Sequence, residues 1–296
     1  MELRQLRYFA AVARHANFTR AADELHLAQS ALSQQVRRLE AELGVELLNR
    51  TTRRVELTEA GEITLGRATR ILSEVEALGS ELDELGGLLR GQLRVGGMLP
   101  AGGVDLPALL VSFDELHPNV EIVMREGTAT EMVERLWSYE LDAAIAMFEA
   151  DEVPEGLAHE LLGSEQLVLA MAASDPLAGR KRVRLSELDG RALVTFRPGA
   201  AVRAASDRAF ARAGVSPRVA FESNDLSMMR AVISRGLGVA IVPETVATSS
   251  GSDLAWRPLS PALHRSVALL WRARRRQPPA AAAFIAFVRR AARATR

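Results

Sequence analysis

The chain has 296 residues, 48% of them apolar and 25% charged, with a formal net charge of zero, a composition ordinary for a soluble globular protein of about two domains. The absence of cysteine excludes disulfides, thiolate metal sites, a cysteine nucleophile and thiol redox sensing, and none of the five histidines (His15, His26, His117, His159, His264) stands at ligand spacing, so neither a metal nor a cofactor is expected. No apolar run approaches the ~18 residues of a membrane span, and Arg14 and His15 interrupt the N-terminal stretch before a signal-peptide core can form, so a cytoplasmic location without membrane contact is expected.

Charge is uneven along the chain. Residues 1–60 hold nine arginines against eight acids, residues 61–90 three against six, residues 91–253 fifteen bases against 23 acids, and residues 254–296 ten arginines and no acid. The N-terminal segment is therefore not basic in bulk, and any contact with nucleic acid must rest on where its charges sit.

The first forty-odd residues read as short helices. Leu3, Leu6, Phe9, Ala10 and Ala13 recur at helical spacing, Asn17 is placed to cap "FTRAADEL", and a third helix follows in "AQSALSQQVRRLEAELG", 28–44. On a helical wheel Leu32, Val36, Leu39 and Leu43 share an arc of about 60°, the buried stripe. Gln29, Ser30, Ser33, Gln34 and Arg37 gather opposite, over the N-terminal half, while Glu40 and Glu42 fall at the far end. A major-groove helix needs this arrangement. Carboxylates would be repelled by phosphate, whereas Gln pairs with adenine, Arg with guanine, and Ser with either. The small Ala21 and Ala22 let a partner helix cross closely, as in a helix-turn-helix. The alternative is a solvated face on a three-helix core.

"VELLNRTTRRVELT", 45–58, reads as a hairpin with Arg50, Arg53 and Arg54 near its tip, suited to phosphate or to an adjacent minor groove. From Thr58, with Glu59 and Glu62 near its positive end, a helix of ~45 Å is expected. Its apolar residues Ile71, Val75, Leu78, Leu82, Leu85 and Leu89 are spaced 4-3-4-3-4, a heptad seam that buries either on its own domain or, the reading preferred here, on a second copy. "GGLLRGQ", 86–92, ends it as a hinge.

After residue 91 strands alternate with helices: strand "QLRVGGM", helix "DLPALLVSFDELHP", strand "NVEIVMREG", helix "TATEMVERLWSYE", strand "LDAAIAM". The order implies a parallel sheet covered by helices. The theme restarts over 164–244 and closes with strand "HRSVALLW" and helix "PAAAAFIAFVRRAAR", which suggests two lobes around a cleft, with ligands outside the carboxyl ends of strands. "SMMR", 227–230, is read as helix core, and "RARRR", 272–276, as a polar link served by acids of the protein body.

The first 61 residues closely resemble the DNA-binding domain of LysR-type transcriptional regulators. The elements "F-x-x-V-A", "AA-x-x-L", "QSALS", "RRLE-x-x-LG", "L-x-R" and "LTEAG" fall in order, and "HPNVEIVMREG", "LDAAIAM" and "RGLGVAIVP" match the family's effector domain. The resemblance implies an α/β fold in three parts. These are a winged helix-turn-helix over 1–58, a dimerising linker helix and hinge over 59–90, and a two-lobed, periplasmic-binding-protein-like (type II) effector domain over 91–296. Lobe 1 would take about 91–162 plus 265–296, and lobe 2 about 163–264.

The resemblance further implies a homodimer or homotetramer on an inverted-repeat operator in double-stranded DNA, a small-molecule inducer between the lobes, and RNA polymerase as a further partner. By position, Gln29, Ser30, Ser33, Gln34 and Arg37 match the recognition helix, and Arg50, Arg53 and Arg54 the wing. Met98, Leu99, Pro100 and Thr128 would border the inducer on one side, and Thr195, Phe196, Arg197 and Asn224 on the other. Three positions depart from the family pattern. Ala28 replaces a capping Ser or Thr, Leu48 replaces Phe, and Leu99 stands where a Ser or Thr would hold an inducer carboxylate. The lack of cysteine excludes the thiol mechanism of peroxide-sensing relatives.

Two rival readings are weaker. Glycine-rich "GGMLPAGG", 96–103, lacks the spacing of a phosphate loop, and no catalytic residue is picked out, which argues against an enzyme. A free solute-binding protein leaves residues 1–90 unexplained.

Overall fold

The computed structural model of the chain describes residues 1–50, 55–85, 89–97, 104–148, 153–248, 253–273 and 277–294. It divides into two compact units, Met1–Gly91 with Trp137–Glu140, and Gln92–Leu136 with Leu141–Arg296.

The first unit begins with three helices, α1 (Leu3–His15), α2 (Phe18–Glu24) and α3 (Gln29–Leu43). Their core is the apolar set the spacing points to. Leu6, Phe9, Val12, Leu32, Val36 and Leu39 are buried, and Ala21 and Ala22 leave no gap between α2 and its neighbours. Asn17 caps α2, its Oδ1 accepting from the Arg20 amide at 3.0 Å. Ala28 leaves α3 without a side-chain cap, and Gly44, at φ +70°, ends it in the left-handed region. Leu43 corrects the wheel: it is 39% exposed, because the last residue of α3 projects past the core that buries Leu39.

A short antiparallel hairpin follows, β1 (Leu48–Arg50) with β2 (Val55–Leu57), Leu48 opposite Leu57. Leu48 is buried in the helical core. Glu40 fixes the hairpin to α3, its Oε1 accepting from the amides of Leu47 (3.0 Å) and Leu48 (3.2 Å).

The long helix α4 (Glu59–Leu85) starts at Thr58, whose Oγ1 accepts from the Gly61 amide (2.9 Å) and donates to the Glu46 carbonyl (2.7 Å). A Cβ on Gly61 would stand 2.0 Å from the Leu47 carbonyl oxygen, so the close approach of α4 to the hairpin requires glycine here. Ala68, Ser73 and Ala77 of α4 are buried. The heptad-seam residues Ile71, Val75, Leu78 and Leu82 are all exposed, the last two at about 60%. Leu89 falls beyond the described end of α4, so the helical seam does not reach it as the spacing suggested. The Leu85 side chain lies outside the described residues.

The second unit takes β3 (Gly91–Gly97), α5 (Leu106–Leu116), β4 (Val120–Glu126), α6 (Ala129–Trp137) and β5 (Ala143–Met147). Strand β6 (Leu157–Ala172) and a short β7 (Val183–Arg184) follow, then β8 (Ala192–Thr195), α7 (Ala201–Ala213), β9 (Arg218–Glu222) and α8 (Leu226–Ser234). Strand β10 (Ala240–Pro243), α9 (Glu244–Thr248), β11 (Leu254–Arg272) and α10 (Pro279–Ala294) close the chain. The main sheet runs β10-β6-β11-β5-β3-β4, with β7 beside β11, and β8 pairs with β9 in a second sheet.

This sheet is mixed rather than parallel. Strands β3 and β5 are parallel, but β11 runs antiparallel to both β5 and β6, and β6 antiparallel to β10. The difference arises from two long strands. β6 begins seven residues before the expected "SEQLVLAMA", and β11 extends ten residues ahead of "HRSVALLW". Gly163 and the prolines Pro258 and Pro261 lie within these added lengths. In the fold the strands continue through them, and the ladder absorbs register shifts between Pro258 and Leu263 and between Val267 and Ala268. β11 pairs with β5 at its C-terminal end and with β7 earlier, while β6 runs beside β11 and pairs with β10 at its own C-terminal end, so the two strands join the two lobes.

Arg272 shows what the basic C-terminal stretch does, as far as it is described. It is buried, donates from Nη1 to the carbonyls of Leu136 and Leu141 at 2.6 Å each, and approaches Asp142 at 3.6 Å. Asp142 in turn accepts from the Arg94 amide at 3.0 Å. The core reading of "SMMR" needs splitting: Met229 is buried and Met228 is half exposed.

Candidate functional site

Two surfaces gather the predicted residues. On the first unit, α3 carries Gln29, Ser30, Gln34 and Arg37 exposed and Ser33 half-buried, outward from the buried Leu32, Val36 and Leu39. No acidic residue lies in the first turn of α3, and its uncapped amides add positive potential there. The acids nearest in the fold are occupied elsewhere. Glu40 binds the hairpin amides, and Glu42 accepts from Gln5 Nε2 (3.3 Å) and pairs with the N-terminal ammonium. Glu24 at the end of α2 meets His15 Nε2 at 2.5 Å and Arg14 at 3.0 Å. The His15 hydrogen bond holds Glu24 below the usual carboxylate range; burial opposes it, and the Arg14 charge adds to the lowering. The hairpin residues Arg53 and Arg54, and the side chain of Arg50, lie outside the described residues.

On the second unit, a cavity of about 630 Å³ opens between the lobes. It is built at the carboxyl ends of strands. Glu126 ends β4, Met147 ends β5 and Pro243 ends β10, while Phe196 and Asn224 follow the last residues of β8 and β9. The wall is apolar at Met147, Phe196, Val202, Leu226 and Val246, and polar at Thr128, Thr130, Glu131, Glu134 and Arg197.

Local chemistry fixes the loops. Thr128 and Glu131 form a reciprocal cap on α6, the carboxylate accepting from the Thr128 amide (2.6 Å) and Thr128 Oγ1 from the Glu131 amide (3.3 Å). Across the cleft, the Arg197 amide donates to Asn224 Oδ1 (3.1 Å), which ties the two lobe-2 loops together. Arg203 supports the same loop, donating to the Phe196 carbonyl (3.0 Å) while paired with Glu222 and Asp207. Glu222, first, and then Asp207 raise the Arg203 pKa, so its charge is fixed and already neutralised. Gly199, at φ +89°, brings lobe 2 close to lobe 1: a Cβ there would stand 3.7 Å from Thr128 Oγ1.

Thr128, Phe196, Arg197 and Asn224 thus line one cavity. Thr195 does not line it. Its side chain is buried at the end of β8 and its carbonyl accepts from the Ser223 amide at 3.1 Å. Met98, Leu99 and Pro100 lie outside the described residues. Sequence reasoning missed Glu126, Glu131, Glu134, Gly199 and Val246. The strand-end rule pointed to Glu126, and a T-x-x-E pattern to Glu131, whereas Val246 joins the wall only through tertiary packing. Among the described residues no helix is long and apolar enough to cross a membrane, and no group of three or more His, Cys, Asp or Glu is placed to hold a metal ion.

Comparison with known proteins accounts for both units. Residues 3–62 match the model of the bacterial regulatory helix-turn-helix protein, lysR family, and residues 86–293 that of the LysR substrate binding domain. The chain is 35% identical over 281 residues to the HTH-type transcriptional regulator BudR of Raoultella terrigena, covering 92% of this chain and 95% of that one. A full-length OxyR variant from Pseudomonas aeruginosa superposes with a TM-score of 0.73 at 26% identity, covering 99% of this chain and 95% of that one. Full-length CbnR complexed with its target DNA gives 0.68 at 30% identity, covering 98% and 99%. With both family models matched in order along one chain, and the two-unit fold shared with solved relatives, the chain belongs to the LysR family of bacterial regulatory proteins.

Proposed function

We propose that this chain regulates transcription by reading a DNA operator with α3 and changes its hold on that operator when a small molecule fills the cavity between its lobes. The observation that carries the reading is the exposed, carboxylate-free leading face of α3, with Gln29, Ser30, Gln34 and Arg37 outward from the buried Leu32, Val36 and Leu39. It has the side chains and polarity of major-groove readout, and the relative CbnR is solved on its target DNA. Arg50, Arg53 and Arg54 of the hairpin would hold the flanking phosphate or minor groove.

Two copies would pair through the exposed seam of Ile71, Val75, Leu78 and Leu82 on α4, with pairs of dimers as the larger assembly. The two reading helices would then face an inverted repeat, with RNA polymerase as the downstream partner in the cytoplasm. Ligand closure of the lobes would bias that assembly between two geometries on DNA. The relatives are regulators, and the chain is proposed to act by binding rather than by catalysis.

A gel-shift experiment with the DNA upstream of the chain's own gene tests the reading. Specific retardation at moderate salt is expected, and none would overturn it. Arg37→Ala should cost about 1–3 kcal/mol and relax preference at one base pair; unchanged sequence preference would remove Arg37 from the readout.

A further inference from the structure

The charge of the cavity narrows what it can hold, given the reading above that a small molecule binds there. Three carboxylates line it, from Glu126, Glu131 and Glu134, against one guanidinium, Arg197. Several acids elsewhere in this unit are paired: Arg203 takes Glu222 and Asp207, Arg191 takes Asp175, and Arg289 takes Glu160. Glu131 is spent on the amide and hydroxyl of Thr128 and thereby offsets the positive start of α6. The carboxylates of Glu126 and Glu134 meet no hydrogen-bonding or ionic partner among the described residues. Arg203, which supports the cavity from beneath, is already neutralised by its two acids. A concave site with an apolar wall and one dominant sign of charge focuses that field on its contents.

We infer that the ligand of this cavity is an organic ammonium: a cationic head between Glu126 and Glu134, and an apolar body against Phe196, Val202 and Leu226. A carboxylate ligand would have to approach two unpaired carboxylates with Arg197 alone to offset them.

Matched probes of opposite charge test the assignment on the full-length protein. Phenethylamine and hexylamine are compared with phenylpropanoate and hexanoate by thermal shift and calorimetry at neutral pH and millimolar concentration. The two ammonium probes should bind at least tenfold more tightly than their carboxylate counterparts. Glu126→Gln combined with Glu134→Gln should abolish that preference while leaving the melting temperature without ligand near that of the parent. Thr130→Trp, an exposed position on the cavity wall, should block the ammonium probes by filling the space.

Three results overturn the inference. If the carboxylates bind better and Thr130→Trp blocks them, the charge class is wrong and the cavity reading survives. If ammonium binding ignores the double substitution, Glu126 and Glu134 do not hold the ligand. If no probe that binds responds to Thr130→Trp, or none binds, both the ammonium assignment and the cavity as a ligand site fail for these classes.

Discussion

The α3 face proposed to read DNA and the cavity of the effector domain handle carboxylates in opposite ways. Around α3 three acids have structural partners: Glu40 the hairpin amides, Glu42 the Gln5 side chain, and Glu24 the His15–Arg14 pair. What remains facing outward is amide, hydroxyl and guanidinium, suited to a polyanion. In the cavity, among the described residues, Glu126 and Glu134 are left without a partner and Arg197 is the only lining cation. Net charge along the chain does not reveal this, since the DNA-reading segment is nearly neutral. The placement of satisfied and unsatisfied acids decides which ligand each surface favours.

Three variants break or sharpen the contrast, in order of expected effect. Gly61→Val drives a side chain into the Leu47 carbonyl, a clash of backbone with Cβ that should cost about 4 kcal/mol or more. It should unfold the N-terminal unit and abolish DNA binding while ligand binding to the effector domain persists; calorimetry should then lose the N-terminal transition and keep that of the effector domain, and an unaltered N-terminal transition would contradict the packing of α4 on the hairpin. Leu78→Ala with Leu82→Ala removes the most exposed part of the α4 seam. Counting both copies, the lost burial should weaken self-association by about 3–5 kcal/mol, read by sedimentation equilibrium; an unchanged dissociation constant would place the dimer contact elsewhere. DNA binding should fall with it, since two reading helices would no longer be held together.

The smallest effect concerns Glu24. Glu24→Gln should destabilise the N-terminal unit by about 0.5 kcal/mol at neutral pH, because the pair is partly exposed and screened. Folding lowers the Glu24 pKa below its ordinary 4.5, so the stabilisation is complete above that value and is lost as pH falls through the lower folded value. The difference between parent and variant should therefore vanish in acid. A difference that grows in acid would contradict the pairing.

The α3 face was legible because a helix repeats its environment every 3.6 residues, and three of its four stripe residues are buried as the wheel requires. Leu43 departed because a wheel has no end and a helix does. The seam of α4 was legible for the same reason, up to Leu82. The long strands β6 and β11 were not, because glycine and proline mark breaks in a local reading, whereas a two-sided ladder can carry them through a shifted register. The cavity was half legible. The family resemblance placed Thr128, Phe196, Arg197 and Asn224 at the cleft, and all four line the cavity, but the pairing of acids is tertiary, so the isolation of Glu126 and Glu134 has no signature in spacing. Thr195 shows the limit at single-residue scale: one position earlier on the same strand turns the side chain inward.

The most direct test adds a carboxylate where α3 has none. Gln34 is exposed on the leading face, so Gln34→Glu should fold as the parent does. In fluorescence anisotropy on the upstream DNA it should weaken specific binding by roughly 1–3 kcal/mol, about a tenfold loss or more, with the melting temperature unchanged. Affinity equal to that of the parent, on the same DNA and at the same salt, would contradict the account of α3 as the DNA-reading surface.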